Sequence, residues 1–350
     1  MSGIVGHIMY AILGAKAAAQ RRLPVAPLIA RHWASYLAGA YLGCDIQTMP
    51  EAICVDTGKE VGYGLVTLEK SPLTGGKVVP YFLHYDGRRY RPRDVYDAFY
   101  GRAHVTFGWN PELLDLTLPW QHLPEYCSAV AEDALTLFGP AQRPLAYALG
   151  WMVHLVGDGL IKSIWPGVTL NLLDGKYTPR NRPIQDLFTY HEIGRKELQL
   201  DWPALLADAA ETPVEPIQLH YMRVSQKRGR LAQDFPDGWQ PTTGLLRAVL
   251  AENRRYLRIH RKQIVQDMQL EQTTNGWQCR DELRRATGGL TYEQMVGAAE
   301  EANFRHALRQ IAEAVADLFA DVVHLVPALR QMPFHEEPTW EELGKRWKVS

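Results

Sequence analysis

Along most of this chain apolar residues recur at three- and four-residue steps, a period that predicts helices. Residues 4–20 show it first, in an alanine-rich run followed by Pro24 and Pro27. Residues 27–43 repeat the pattern and stop at Gly43. Between 46 and 93 the period disappears. Gly58, Gly62, Gly64, Gly75, Gly76 and Pro80 break that stretch into loops with room for one short strand pair. Helical patterning returns over 93–139, interrupted near Pro111 and Pro119, and again over 142–161, a strongly apolar segment. A loop rich in Pro, Gly and Asn covers 162–186, and a further helix is expected through His191. Long helices are predicted at 242–271 and 291–326, with 305–323 the clearest amphipathic stretch. The expected fold class is mainly α. One large multi-helical domain would occupy 1–334, with a loop-rich insert at about 46–93 and a charged tail at 335–350.

The apolar helix at 142–161 carries the feature that core packing alone does not require. His154 and Asp158 are four residues apart, so both side chains stack on one helix face. An imidazole and a carboxylate are costly to bury together unless a partner satisfies them. A divalent metal would satisfy both at once. A buried His–Asp hydrogen bond that only supports the core is the structural alternative.

Composition narrows the function classes. Hydrophobic content of 46% and charged content of 22% are those of an ordinary globular protein. A formal net charge of −1 supplies no global field toward nucleic acid or an anionic membrane, so no specific nucleic-acid binding is expected. Cys44, Cys54, Cys127 and Cys279 are scattered without a C-x-x-C pair, which argues for buried free thiols rather than a thiolate zinc site or a disulfide framework. Arg21 and Arg22 follow the first apolar run instead of preceding it, the wrong order for a secretory signal, and that run is too short to span a bilayer. A cytoplasmic chain without a transmembrane segment is expected. A secreted chain trimmed of its signal would look the same.

Four separate places offer metal ligands: His7 on the first helix, Asp45 after the second, His84 at the close of the insert, and His154 with Asp158. Three imidazoles and two carboxylates suit Zn²⁺, Mn²⁺ or Fe²⁺ and suit Ca²⁺ poorly. Their order and local wording resemble the zinc-dependent phospholipase C / S1–P1 nuclease superfamily. The likeness lies in Gly39-Ala-Tyr-Leu-Gly-Cys-Asp45, in Phe82-Leu-His84-Tyr-Asp86-Gly87, and in Gly150-Trp-Met-Val-His154-Leu-Val-Gly-Asp158, preceded by His7. It covers roughly residues 1–200. The resemblance implies an all-helical domain with one to three zinc ions in a cleft, Fe or Mn being the other candidates. Asp45, His84, His154 and Asp158 would hold one ion, and Asp158 would bridge to a second held with His7. Asp45 and Asp158 would act in catalysis, the former by orienting the attacking water. The implied activity is hydrolysis of a phosphoester in a small-molecule or lipid-like anionic substrate.

The chain departs from that family's pattern in three ways. Ile164 stands where the family has a histidine, beside Trp165. His191 is available as a later ligand, but Arg195 occupies the slot of its carboxylate, with Glu192 and Asp186 nearby. Six residues precede His7, so the N-terminal amine is not placed as a ligand in the family's way. A site of one or two metals is therefore expected, with Arg195 supplying positive charge to an anionic substrate and Trp165 lining the cleft. The run from Arg223 to Arg230 reads as a solvated loop, and His306 and His324 read as surface or core histidines. Two other readings stay open: a one- or two-metal enzyme with different chemistry, and a non-catalytic helical binding module.

Overall fold

The computed structural model describes residues 4–42, 52–58, 60–61, 76–91, 95, 109–110, 115–116, 120–138, 142–161, 181–219, 241–274, 276–280, 283–284 and 287–330. Asp45, Trp165, the 223–230 run and the expected tail from 335 lie outside them. The described chain is mainly helical. It opens with α1 (Ile4–Gln20), α2 (Ala26–Arg31) and α3 (Trp33–Leu42). The single helix expected over 27–43 is thus two, divided at His32, where the backbone leaves helical geometry.

The insert holds more strand than its glycine content led one to expect. β1 (Ala52–Cys54), β2 (Glu60–Val61) and β3 (Val78–Pro80) form an antiparallel sheet in the order β2-β1-β3. β4 (Leu83–Tyr85) and β5 (Arg88–Tyr90) form a hairpin. Its turn is Asp86-Gly87, both at positive φ (49° and 69°), as a two-residue hairpin turn matching strand twist requires. A further pair, β6 (Trp109–Asn110) with β7 (Asp115–Leu116), replaces helix where helix was expected.

Next come α4 (Leu123–Phe138), α5 (Gln142–Ile161) and α6 (Asn181–Phe188), which runs directly into a π-helix at Thr189–Glu197. Then follow α7 (Trp202–Glu211) and α8 (Thr243–Asp267), the hairpin β8 (Leu270–Thr273) and β9 (Gly276–Cys279), and α9 (Tyr292–Glu301) with α10 (Phe304–Leu325). α9 starts with a capping box, Thr291 and Gln294 each accepting from the other's backbone N–H. α10 buries Phe304, Leu308, Ile311, Val315, Phe319 and Val322 on one stripe, and exposes His306 and His324.

α5 is the centre of the bundle. Every residue but Arg143 is buried, beneath α1, α3, α4 and α10. It is long and apolar enough to cross a membrane, yet all of its apolar window is covered by the rest of the chain. The tightest contact is with α3. A Cβ on Gly39 would sit 2.0 Å from the Tyr147 carbonyl oxygen, and one on Gly150 would sit 1.9 Å from that of Tyr36. Small residues at both positions let the two backbones touch. Tyr36, fully buried, also donates its hydroxyl to the Ala11 carbonyl of α1 at 3.0 Å. α10 completes the packing on α1, where Gly14 abuts Val315. Arg21 at the end of α1 reaches Asp317 and Glu313 of α10. Cys54, Cys127 and Cys279 are buried free thiols, as their spacing led one to expect.

These contacts give a contrasting pair of substitutions. Gly150→Ala forces the α3 and α5 backbones apart and is expected to cost about 3 kcal/mol or more. Gly297→Ala, in exposed α9 with nothing within 4 Å of the new methyl, should instead stabilise by about 0.5–1 kcal/mol. Urea unfolding of both variants measures this. Equal effects from the two would show that the α3–α5 contact is not that close.

Candidate metal centre

Three of the residues singled out from the sequence meet in the bundle interior. α1 presents His7, and α5 presents His154 and Asp158 one turn apart. All are 0–1% exposed. One ligand atom from each lies within 4.8 Å of the others. His7 Nε2 is 3.5 Å from Asp158 Oδ1, and His154 Nε2 is 3.8 Å from Asp158 Oδ2. The two imidazoles stack, with centroids 4.1 Å apart and planes at 14°. Tyr10 packs edge-on against His7, and its ring fills the space beside Gly157.

The separations discriminate between two readings. They exceed the 2.7–3.2 Å of a good hydrogen bond. Two ligand atoms each about 2.1 Å from one zinc, at a tetrahedral angle, stand about 3.4 Å apart. The observed spacings are closer to ligands arranged around an ion than to a direct His–Asp hydrogen bond.

The second shell points the same way. His154 Nδ1 lies 3.2 Å from the Ala40 carbonyl oxygen of α3. A carbonyl only accepts, so Nδ1 carries the proton and Nε2 presents its lone pair toward Asp158. A backbone carbonyl fixing the tautomer is the usual support for a metal-binding histidine. It follows from the close α3–α5 contact. Two neutral imidazoles and one carboxylate form a donor set that fits Zn²⁺, Fe²⁺ or Mn²⁺ equally.

The other expected ligands are placed elsewhere. His84 is on β4, its side chain exposed and paired across the hairpin with Arg89. It does not join the His7–His154–Asp158 group. The His–aromatic–Asp-Gly wording that resembled a ligand loop is here a hairpin turn. His191 lies in the π-helix, where Nε2 donates to the Met268 carbonyl at 2.7 Å, and it too stands apart from that group. Asp186 faces Arg182 at 3.5 Å. Burial pushes its carboxyl above the usual range, with Arg182 opposing.

His191 and Arg195 border a surface cleft of about 1020 Å³ instead. No residue of the buried triad lines it. Sequence reasoning missed most of its walls: Tyr190, Trp202, Trp277 and Tyr292, with Glu192, Glu271 and Glu293. Tyr190 and Trp202 stack at 5.1 Å. Glu192 accepts from Lys196 Nζ and from the Tyr292 hydroxyl, both at 2.6 Å. Burial opposes ionisation of Glu192, but those two donors hold its carboxyl below the ordinary range. Burial, assisted by nearby Arg195, lowers the pKa of His191 against the opposing hydrogen bond to Met268.

The chain matches no protein-family model, no curated protein and no solved structure. The likeness to the phospholipase C / P1 nuclease superfamily therefore rests on its motifs alone.

Burial also makes the fold sensitive to acid. His260, stacked on Tyr256, is pushed down to about 4 by burial first and by Arg182 second. Because His260 and His191 have lowered pKa values in the fold, no penalty exists above the unfolded value near 6.5. Below it the unfolded chain takes up protons that the fold refuses, so stability falls as pH drops from about 6.5 toward 4. His260→Gln is expected to remove on the order of 1–3 kcal/mol of that loss, allowing for partial exposure of the ring. Urea midpoints at pH 7 and pH 5 for both proteins measure it. The same pH dependence in the variant would mean that His260 is not held neutral.

Proposed function

We propose that this protein is a metal-dependent hydrolase acting on phosphoester bonds, with a divalent ion held by His7, His154 and Asp158. The observation that carries the reading is the convergence of those three side chains at ligand-like separations, with the His154 tautomer set by Ala40. Three protein ligands are the number found in catalytic zinc sites, which leave a position for water or substrate, whereas closed structural sites use four. A bound divalent ion supplies Lewis acidity, lowering the pKa of water and polarising a phosphoryl oxygen. The residues' own contributions are definite. Asp158 brings the negative charge that offsets the cation, and His7 and His154 bind as neutral donors. The stacked imidazoles and the Tyr10 ring exclude bulk water from the inner side. The motif likeness of residues 150–158 supports the choice of phosphoesters as substrate class.

A second reading has its own observation. The triad is 0–1% exposed, which favours a structural ion, or a His–Asp core pair, within a helical binding module. One set of measurements separates the readings. Elemental analysis of protein purified without added metal should find at least one zinc, iron or manganese per chain. Asp158→Ala and His154→Ala should weaken metal binding by about tenfold or more. Both should also remove hydrolysis of bis(p-nitrophenyl) phosphate. Metal that raises the melting temperature without any hydrolysis would support the structural ion. Metal-free protein whose melt is unchanged by added zinc would overturn both metal readings.

A further inference from the structure

The π-helix and the cleft above it form a second polar region, independent of the buried triad. A nine-residue π-helix is long for a form that occurs mostly as single-turn bulges, and such bulges are frequent at functional sites. Its wide turn brings residues four and five apart onto one wall, which here places His191, Arg195 and Lys196 together. Tertiary contacts hold the winding. Trp202 Nε1 donates to the Tyr190 carbonyl at 3.1 Å, and Leu200 N–H donates to that of Gly194 at 2.8 Å. Gly194 lies so close to the Trp202 indole that a Cβ would fall 2.5 Å from its Nε1.

The floor of the cleft is apolar and aromatic, from Tyr190, Trp202, Tyr292 and Met268. On the opposite rim Trp277 is 44% exposed, a large indole left facing solvent at the edge of a concave surface. The charges on the rim are mostly committed. Lys196 is neutralised by Glu192. Asp201 caps α7 by accepting from Ala204 N–H, and Glu293 accepts from Trp277 N–H. Arg195 is exposed and has no carboxylate partner among the described residues. A planar ring satisfies the indole and the aromatic floor, and an anionic group satisfies the guanidinium.

We propose that this cleft binds a small aromatic carboxylate, its ring against Trp277 and its carboxylate on Arg195. The volume, about 1020 Å³, is at the upper end of small-molecule pockets. Arg195 is suited to the role by its planar fork of donors, which matches a carboxylate with two parallel hydrogen bonds.

Isothermal titration of the full chain with indole-3-carboxylate, indole-3-carboxamide and tryptamine tests the proposal. The carboxylate should bind saturably at one site and about tenfold more tightly than the isosteric carboxamide. Arg195→Gln should remove that tenfold preference while leaving carboxamide binding unchanged, and Arg195→Lys should restore part of it. Trp277→Ala should weaken carboxylate and carboxamide by a similar factor. Both side chains are exposed, so these variants should melt as the parent does. The carboxylate–carboxamide comparison in the parent protein needs no variant at all. Equal binding of the two, an unchanged preference in Arg195→Gln, tighter binding of tryptamine through Glu271, or no saturable binding at millimolar concentration would each overturn the proposal.

Discussion

The contact of two helix backbones, α3 against α5 at Gly39 and Gly150, is the constraint on which the rest of the structure depends. A side chain at either position would separate the helices by the thickness of a methyl group. The separation would matter twice. It would open the core around a helix with almost no exposed residue, where dense packing is the main source of stability. It would also move the Ala40 carbonyl away from His154. The same contact that packs the core therefore orients the imidazole, and the polar centre is a by-product of close packing and not an addition to it.

That centre has an electrostatic logic of its own. With neutral imidazoles, His7, His154 and Asp158 carry a net charge of −1 in a region from which water is excluded. An isolated buried carboxylate is strongly disfavoured. Two compensations exist: a proton shared with an imidazole, or a cation between the three groups. The first calls for short contacts. The second calls for a gap, and the structure has the gap.

How much of this was legible depends on what kind of signal carries it. The bounds of α1 and α5 follow from periodicity alone, because both helices are long and their apolar faces continuous. The break at His32 did not show, since the pattern on either side has the same period. The β8–β9 hairpin was absorbed into the helix expected over 242–271, although Asn275-Gly276 in the sequence is a strong hairpin signal. In the site, His154 and Asp158 were readable from their spacing. His7 could be added only by its order in the chain, because no local pattern says which helix faces α5. His84 shows the opposite failure. Its neighbours Asp86 and Gly87 matched the wording of a ligand loop, while the physical reading of that pair is a tight turn. Asp45 and Trp165 fall outside the described residues. The π-helix had no readable signal. Residues 189–197 are compatible with ordinary α winding, and what widens the turn is Trp202, which reaches the Tyr190 carbonyl from beyond the helix.

That widened turn makes the region intolerant of changes in chain length. A π segment carries one residue more than the α-helix that would span the same turns. Loss of any single residue between Thr189 and Glu197 would let the segment relax to α winding, since no hydrogen bond would then be left over. Each residue of an α-helix advances the chain by about 100°. Everything after the deletion would rotate by that amount relative to α6. Arg195 would swing off the cleft wall, and Trp202 would lose the carbonyl it holds. Substitutions on the exposed faces of this segment leave its geometry in place, but its length admits no variation.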